Sequence, residues 1–297
     1  MRSDPFGARL AAAFAAHGPL CVGIDPHDWL LEAWRLPSSA QGAREFGLAA
    51  VAAAHGRVGI VKPQVAFYER FGSAGFAALE AVLSAARAAG LLVIADAKRG
   101  DIGSTADAYA QAWLSPGSPL EADALTVAAF QGVGSLAGMM SLAEANGKGL
   151  FVLAATTNPE AAPIQTALVQ SSAPRHHDQS LGGAARTVSR AIIDDVIAFN
   201  AGQAGHPIGS IGVVLGATLD LAAFGVQTDA KAAHNPMPVL APGFGAQGAL
   251  VSQARRRFGA LAATTIISES RSILTAGPDA LAETITRRAA EVREHLG

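Results

Sequence analysis

Cysteine and lysine are both scarce in this sequence. The single cysteine, Cys21, excludes an intrachain disulfide, and its apolar neighbours predict a buried thiol, which suits a reducing cytoplasm. Only four lysines are present, at positions 62, 98, 148 and 231, so arginine carries most of the positive charge. A lysine ammonium is compact and can donate a proton, which a guanidinium cannot, so the rare lysines are candidates for chemistry.

Long apolar runs and an excess of charge of one sign are also missing. No apolar run approaches the roughly 18 residues that a membrane span requires, so no transmembrane segment is predicted. The N-terminal LAAAFAAHG predicts an amphipathic helix rather than a signal peptide, because a core strand follows it at once. The formal net charge of −2 gives no global attraction to nucleic acid or to an acidic membrane surface. We therefore expect neither as a partner.

Half of the residues are hydrophobic, and they recur as short apolar runs that alternate with alanine-rich helical stretches. Apolar runs without polar alternation predict parallel strands that are covered on both faces. Eight β–α units predict a (β/α)8 TIM barrel, as a single domain over residues 1–297. A doubly wound sheet is the alternative, but no dinucleotide fingerprint or P-loop favours it. The predicted strands are 20–25, 59–67, 91–98, 124–130, 149–157, 211–218, 238–244 and 263–270.

One predicted connection is unusually long. Residues 158–183 are polar and contain three prolines. Long irregular connections in compact domains are often lids, and this one follows the fifth strand, at the end of the barrel where active sites form. The run His176–His177–Asp178 within it could indicate a metal, but no further ligands accompany it, so a solvated loop is the favoured interpretation.

Polar residues concentrate at the C-terminal ends of the predicted strands. In VIADAKRGDIGST, Asp96 and Lys98 are two residues apart and so would point to one side of the third strand. Flanking carboxylates would hold the ammonium in its charged form. An isolated pair would more often be structural. Because Asp25, Lys62 and Asp101 also lie near predicted strand ends, a functional charge cluster is favoured instead.

A glycine-rich connection, PGFGAQG at 242–248, predicts an anion site. Its backbone amides and the helix that follows are suited to hold negative charge. Arg271, after the eighth strand, can add a bidentate contact. The loops after strands seven and eight commonly build phosphate sites in barrels, so a phosphorylated substrate is expected.

These motifs together resemble one family. DAKRGDIGST resembles the D-x-K-x-x-D-[IV]-G-x-T signature of orotidine 5′-phosphate decarboxylase. The segments GIDP, VKPQVAFYE, TTNP, PGFGAQG and SRSIL agree with it in order over nearly the whole chain, and KPQVAFYE and TNP resemble its longer, type 2 branch. The resemblance implies decarboxylation of orotidine 5′-monophosphate to UMP, the last step of de novo UMP synthesis. It also implies no metal or organic cofactor, and a homodimer with active sites at the interface, while the cytoplasmic location is expected from the single buried cysteine and the lack of a membrane span.

The resemblance also implies roles for individual residues. Asp96 would lie against the substrate carboxylate, and Lys98 would be the proton donor. Lys62 would belong to the same charge network and, with Asp25, would hold the ribose hydroxyls. The other implied contacts are Thr157 to the pyrimidine, Gln247 and Arg271 to the phosphate, and Asp101, Ile102 and Thr105 to the neighbouring subunit's site. The resemblance assigns no role to Gln64, or to Gln165 in the predicted lid.

Two other functions fit part of the pattern. A lyase or decarboxylase on a similar barrel could act on a sugar phosphate with Mg²⁺ held by Asp96 and Asp101. The intact D-I-G-x-T tail does not favour that alternative. A non-catalytic nucleotide-binding barrel would retain Gln247 and Arg271, but it has no need of the Asp–Lys–Asp set.

Overall fold

A computed structural model of the chain describes residues 4–169, 185–202, 207–228 and 237–296. Eight parallel strands close into a barrel in the order β1-β8-β7-β6-β5-β4-β3-β2. The predicted (β/α)8 barrel is therefore confirmed. The barrel strands are β1 Leu20–Ile24, β2 Ile60–Pro63, β3 Leu92–Arg99, β4 Ala124–Val127, β5 Gly149–Ala155, β6 Ile211–Leu215, β7 Val239–Pro242 and β8 Thr265–Glu269.

Helices occupy most of the connections. They are α1 Phe6–His17, α2 Asp28–Ala33, α3 Ala40–Ala54, α4 Ala66–Glu69, α5 Gly72–Ala88, α6 Gly103–Leu114, α7 Ala137–Ala145, α8 Ala162–Gln165, α9 Val188–Ala201, α10 Ala254–Phe258, α11 Arg271–Leu274 and α12 Gly277–Leu296. Between β6 and β7, the described residues form turns and no α-helix. A two-stranded ribbon, Leu168–Val169 with Arg186–Thr187, flanks α9.

The prediction for the second strand was wrong at its end. The strand stops at Pro63, and the last residues of the predicted 59–67 segment enter α4. After Pro63 the chain turns: the N–H groups of Phe67 and Tyr68 donate to the carbonyl oxygens of Gln64 and Val65, three residues earlier in each case. An apolar run alone does not separate a buried strand from a buried helical turn.

The barrel interior is layered by the two-residue period of its strands. Successive side chains on a strand point to opposite faces, so residues two apart stack along the barrel axis. The lower, apolar layer includes Ile60, Ile94, Ala124 and Ile266. The layer above it, toward the C-terminal ends of the strands, includes Lys62, Asp96, Thr126 and Ser268. The interior therefore changes from hydrocarbon to charge within one step of the strand period.

Helix α1 covers the N-terminal end of the barrel, which confirms the predicted amphipathic helix. Phe6 and Leu10 are fully buried, and the Phe6 ring meets Phe151 edge to face with centroids 5.9 Å apart. Cys21 is buried in the same cluster, as predicted, and its burial raises the pKa of the thiol to about 12. Apolar packing fills this end, which leaves the opposite end for a site. Across the described ranges, no helix has the length and apolar character needed to cross a bilayer.

Candidate active site

A cavity of about 600 Å³ opens among the C-terminal ends of the barrel strands. This volume lies within the range of small-molecule sites. Seven of the ten predicted site residues line it: Asp25, Lys62, Asp96, Lys98, Thr157, Gln247 and Arg271. The other three, Asp101, Ile102 and Thr105, are not part of this lining. One chain therefore brings together Lys62, Asp96 and Lys98 of the predicted charge network with the residues predicted to contact a pyrimidine and a phosphate, and it leaves Asp101 outside.

The Asp96 carboxylate is the centre of the charge network. Its Oδ2 accepts hydrogen bonds from Lys62 Nζ at 2.8 Å and from Gln64 Nε2 at 2.9 Å. Its Oδ1 accepts from Lys98 Nζ at 2.6 Å and from Thr126 Oγ1 at 2.9 Å. Four donors on one carboxylate, two of them cationic, fix both its orientation and its charge.

Burial and opposite charge compete within this network. Burial alone would raise the pKa of Asp96, but the two lysine ammoniums outweigh it and hold that pKa well below its usual range. Burial alone would likewise lower the pKa of Lys62, but the carboxylates of Asp96 and Asp25 outweigh it and raise that pKa above its usual range. Asp96 and Lys62 are therefore both ionised at neutral pH, in a part of the barrel where a lone charge would be costly.

Lys98 has a backbone conformation that strand geometry does not predict. Its φ is +50°, in the left-handed region, and the pairing of β3 with β4 shifts register between Ala95 and Arg99. The Lys98 N–H donates to Thr126 Oγ1 at 3.0 Å, which stabilises this turn of the chain. Non-glycine residues in this region cost free energy and cluster at functional sites. The alternation of side chains along a strand predicted that Asp96 and Lys98 point to the same side. Their side chains do contact each other, but through a distorted strand end rather than regular strand geometry.

The two lysines of the cavity differ in exposure. The Lys62 side chain is 8% exposed and lies beneath the carboxylate, whereas that of Lys98 is 46% exposed and faces the open cavity. Lys148 lies at the other end of the barrel, where its Nζ contacts Glu121 Oε1 at 2.7 Å. Lys231 lies outside the described residues. Of the three lysines in the described ranges, Lys62 and Lys98 line the cavity, and Lys98 is the more exposed of the two.

The opposite wall of the cavity is apolar. Leu153, Val214 and Leu240, from β5, β6 and β7, line it across from the charged residues. Thr156 and Thr157 border this wall. Gln165 secures the segment, because its Oε1 accepts from the Thr156 N–H at 2.9 Å and its Nε2 donates to Thr156 Oγ1 at 3.0 Å. A flat ring with a polar edge fits between such walls.

The predicted anion end of the cavity is built on glycine turns. Gly243 and Gly245 have φ values of +114° and +66°, and a Cβ at Gly245 would lie 2.5 Å from Ser272 Oγ. Any other residue would therefore be strained in backbone conformation at both positions, and at Gly245 its Cβ would also lack space. Gln247 and Arg271 line the cavity here, and both are exposed. An anion in this corner would meet a guanidinium and an amide.

Two buried oxygens at the cavity lack partners. Asp25 Oδ1 and Ser270 Oγ are inaccessible to solvent and form no hydrogen bond in the described part of the protein. Both residues line the cavity. An unpaired buried carboxylate oxygen is costly, and a ligand hydroxyl would satisfy it.

Comparison with known proteins agrees with this geometry. Residues 18–284 match the family described as "Orotidine 5'-phosphate decarboxylase / HUMPS family". The chain belongs to this family. It is 47% identical over 279 residues to the orotidine 5′-phosphate decarboxylase of Salinispora tropica, covering 94% of this chain and 93% of that one. It is 45% identical over 293 residues to that of Streptomyces coelicolor, covering 98% of both chains.

Solved structures of family members have the same fold. A Streptomyces avermitilis protein described as an orotidine 5′-phosphate decarboxylase superposes with a TM-score of 0.86 at 44% identity, covering 100% of this chain and 97% of that one. The OMP decarboxylase of Leishmania donovani superposes with a TM-score of 0.71 at 27% identity, covering 98% and 99% of the two chains. The sequence resemblance to the orotidine 5′-phosphate decarboxylase family is thereby confirmed.

Several features of this family member were missed by sequence reasoning. Thr126 donates to Asp96 and supports Lys98; its position two residues after the inward-facing Ala124 was an available signal. His27 and Phe67 line the cavity from the segments after β1 and β2. The motifs do not predict that His27 and Phe67 line the cavity. Aromatic residues near strand ends most often pack against the core, so their presence alone is no signal of a site.

The three predicted residues outside the cavity follow directly after β3. Ile102 is 60% exposed, and its N–H donates to Asp101 Oδ1 at 2.8 Å. Their predicted contact with a partner's site therefore stays a prediction. The run 176–178 lies outside the described residues, as do residues 170–183 of the predicted lid. Within the described ranges, no group of three or more His, Cys, Asp and Glu side chains could hold a metal ion.

A buried ion pair lies beneath the anion corner. Glu269 is fully buried at the end of β8, and its Oε1 accepts from Arg288 Nη2 at 2.5 Å and Arg288 Nε at 2.8 Å. Its Oε2 accepts from Ser272 Oγ at 2.7 Å. The Glu269 carboxylate therefore bonds to α12 through Arg288 and to the segment after β8 through Ser272. It also lies beside Gly245, in the loop after β7.

Arg288→Ala is expected to lower the free energy of unfolding by about 3 kcal/mol, because it leaves Glu269 buried without its cation. Urea denaturation of the variant and the wild type measures the difference. Arg287→Ala is the matched control, since Arg287 is the exposed neighbour on the same helix and should change stability by less than about 0.5 kcal/mol. Equal losses in the two variants would show that the ion pair does not stabilise the barrel.

Proposed function

We propose that this protein decarboxylates orotidine 5′-monophosphate to UMP and CO₂, without a metal or organic cofactor. The proposal depends chiefly on one observation: a buried carboxylate, Asp96, is held ionised between Lys62 and Lys98, and Lys98 faces the open cavity. A nucleotide-binding barrel without catalysis has no use for such an arrangement. Family membership and the shared activity of the relatives support the same function.

The proposed residue roles give the substrate one orientation in the cavity. Its phosphate would lie at Gln247 and Arg271, and its ribose hydroxyls would satisfy the unpaired oxygen of Asp25 and reach Lys62. The pyrimidine would lie against the apolar wall, with Thr157 at its edge. This orientation brings the carboxylate at C6 toward the Asp96–Lys98 pair.

Electrostatics then drives the chemical step. When the bond between C6 and the carboxylate breaks, its electron pair stays in the plane of the ring, where the π system cannot delocalise it. The Lys98 ammonium stabilises that charge and gives its proton to C6, and the resulting amine is reprotonated from solvent. Asp96 faces the substrate carboxylate in the ground state, and that repulsion is released as CO₂ leaves. The transition state therefore interacts with the network more favourably than the substrate does.

Distant parts of the substrate contribute through binding energy. Interactions with the phosphate at Gln247 and Arg271 can order the segment that closes the site. That segment is the lid at about 158–183 in a single barrel domain. Its described part includes Gln165, which is already anchored to Thr156.

The active form is proposed to be a cytoplasmic homodimer with shared active sites. Asp101, Ile102 and Thr105 would complete the partner's site. Two observations support this: the three residues lie outside their own cavity, and large apolar side chains nearby are exposed, Ile102 by 60% and Phe130 by 86%. Apolar surface of this kind commonly marks an interface. The buried thiol of Cys21 agrees with a reducing compartment.

Turnover of orotidine 5′-monophosphate tests the proposal directly. Purified protein is incubated with the substrate, and loss of the pyrimidine absorbance is followed with and without EDTA. Absorbance loss at equal rates in both conditions is expected. Loss that EDTA abolishes would support the Mg²⁺-dependent alternative. Binding without absorbance change would support a non-catalytic nucleotide-binding barrel.

A further inference from the structure

An imidazole that none of the proposed roles uses lies in the wall of the cavity. His27 follows β1 and precedes α2, and its ring is stacked on Trp29 at 5.9 Å and packed against Phe67 at 4.2 Å between centroids. Its side chain does not cap α2, and neither ring nitrogen has a hydrogen-bond partner in the described part of the chain. The two aromatic rings pack against the imidazole at interplanar angles of 25° for Trp29 and 60° for Phe67, and its nitrogen atoms remain available for a ligand.

Four charged groups act on this ring. Asp25 comes from the end of β1, Asp28 from α2, Arg70 from the end of α4, and Arg271 from α11. Asp28 and Arg70 neutralise each other, since Arg70 donates to both carboxylate oxygens at 2.7 and 2.8 Å. The unbalanced influences are therefore Asp25, which favours the imidazolium, and Arg271, which opposes it.

His27 is consequently neutral in the free protein at neutral pH. Burial is the largest influence and lowers its pKa from the usual value, while Asp25 acts in the opposite direction and Arg271 in the same direction as burial. Binding of an anion to Arg271 would cancel the effect of that guanidinium. The influence of Asp25 would remain, and the anion would add a second negative charge near the ring.

We infer that His27 is a further phosphate-binding residue of this site, which takes up a proton when a phosphate ester occupies the corner beside Arg271. The inference depends on the proposed function, because it requires a nucleotide whose phosphate lies at that corner. The imidazolium donates a charge-assisted hydrogen bond to the phosphate. The Trp29 and Phe67 rings assist, since aromatic faces attract cations. His27 thereby distinguishes a nucleotide from the corresponding nucleoside.

NMR titration of the histidine rings in the intact protein tests the proton uptake. We expect the pKa of His27 to rise by about one pH unit or more when UMP saturates the site, and to stay unchanged when uridine does. A ring that served only to pack between Trp29 and Phe67 would respond to both ligands alike or to neither. A pKa of His27 that is equal in the free and UMP-bound protein would overturn the inference.

Binding measurements on variants provide a second readout. His27→Gln should weaken UMP binding severalfold at pH 6 and much less at pH 8, because the imidazolium forms below the raised pKa and is lost above it. Uridine binding should not change at either pH. The comparison with wild type at each pH cancels the titration of the phosphate itself, whose second pKa is about 6. Equal weakening of UMP and uridine at both pH values would indicate a structural role and overturn the inference.

Two further variants separate this inference from the proposed function. His55→Gln, at an exposed histidine remote from the cavity, should leave both affinities unchanged. Arg271→Ala should weaken UMP but not uridine at both pH values, because a guanidinium does not titrate in this range. If the wild type neither binds UMP nor consumes orotidine 5′-monophosphate, the proposed function fails. If it does both and His27 does not respond, the inference alone fails.

Discussion

Lys98→Ala is expected to lower kcat for decarboxylation of orotidine 5′-monophosphate by at least about 10⁴-fold, while UMP still binds. Proton donation by a positioned group contributes about 10²–10⁴-fold, and electrostatic stabilisation of a developing charge contributes a further factor of about 10²–10³. Lys98 would supply both. Steady-state turnover measures the first part of the prediction, and calorimetric titration with UMP measures the second, because the proposed phosphate and ribose contacts do not involve Lys98.

A conservative variant separates the two contributions. Lys98→Arg retains a cation near Asp96 but cannot give up a proton at neutral pH, so it should remain far less active than wild type. Recovery of most activity in Lys98→Arg would show that charge alone suffices and that the proton comes from elsewhere. Near-normal turnover of Lys98→Ala would remove Lys98 from the mechanism altogether.

Much of this site could be predicted because parallel barrels bring all their strand ends together. Once eight apolar runs were identified, the polar residues that end them had to converge, whatever the details of each strand. Lys62 and Asp96 show this: they are 34 residues apart in the sequence, and they meet at 2.8 Å. Both belong to strands whose inward positions follow the two-residue period, so the pattern placed them correctly.

The features that could not be predicted depend on tertiary contacts without a local pattern. The left-handed backbone of Lys98 accompanies a register shift against β4 and a hydrogen bond to Thr126, neither of which is visible in ADAKRG. Glu269 and Arg288 pair across 19 residues, from a strand end to the middle of a helix. His27 is positioned by aromatic rings from two connections. In each case, the role of the residue depends on a partner that is distant in the sequence, and no local pattern identifies that partner.

Asp101 is a different case, because a single chain cannot display its predicted contact. The strand ends at Arg99, and Asp101 then accepts from the N–H of Ile102 at the surface, away from the cavity of its own barrel. A carboxylate that had only this local role would be replaceable by asparagine with little effect. If Asp101 instead completes the partner's site beside Lys98, Asp101→Asn should lower kcat by about 10³-fold, a loss typical of a preorganised electrostatic contact.

Mixing two inactive variants then decides between one chain and two. In a heterodimer of Lys98→Ala and Asp101→Asn protomers, one site combines both substitutions and the other combines wild-type Lys98 with wild-type Asp101. Statistical exchange makes half of the dimers mixed, so about a quarter of wild-type turnover should appear after the two inactive proteins are equilibrated together.

Equilibration of Lys98→Ala with a Lys98→Ala, Asp101→Asn double variant is the matched control and should restore nothing, since no site can then hold a wild-type Lys98. If subunit exchange is demonstrated and the first mixture stays inactive, Asp101 acts within its own chain, and the shared active site is wrong. If a quarter of the activity returns, the segment that supplies Lys98 to one site supplies Asp101 to the next, and dimerisation becomes a condition of catalysis.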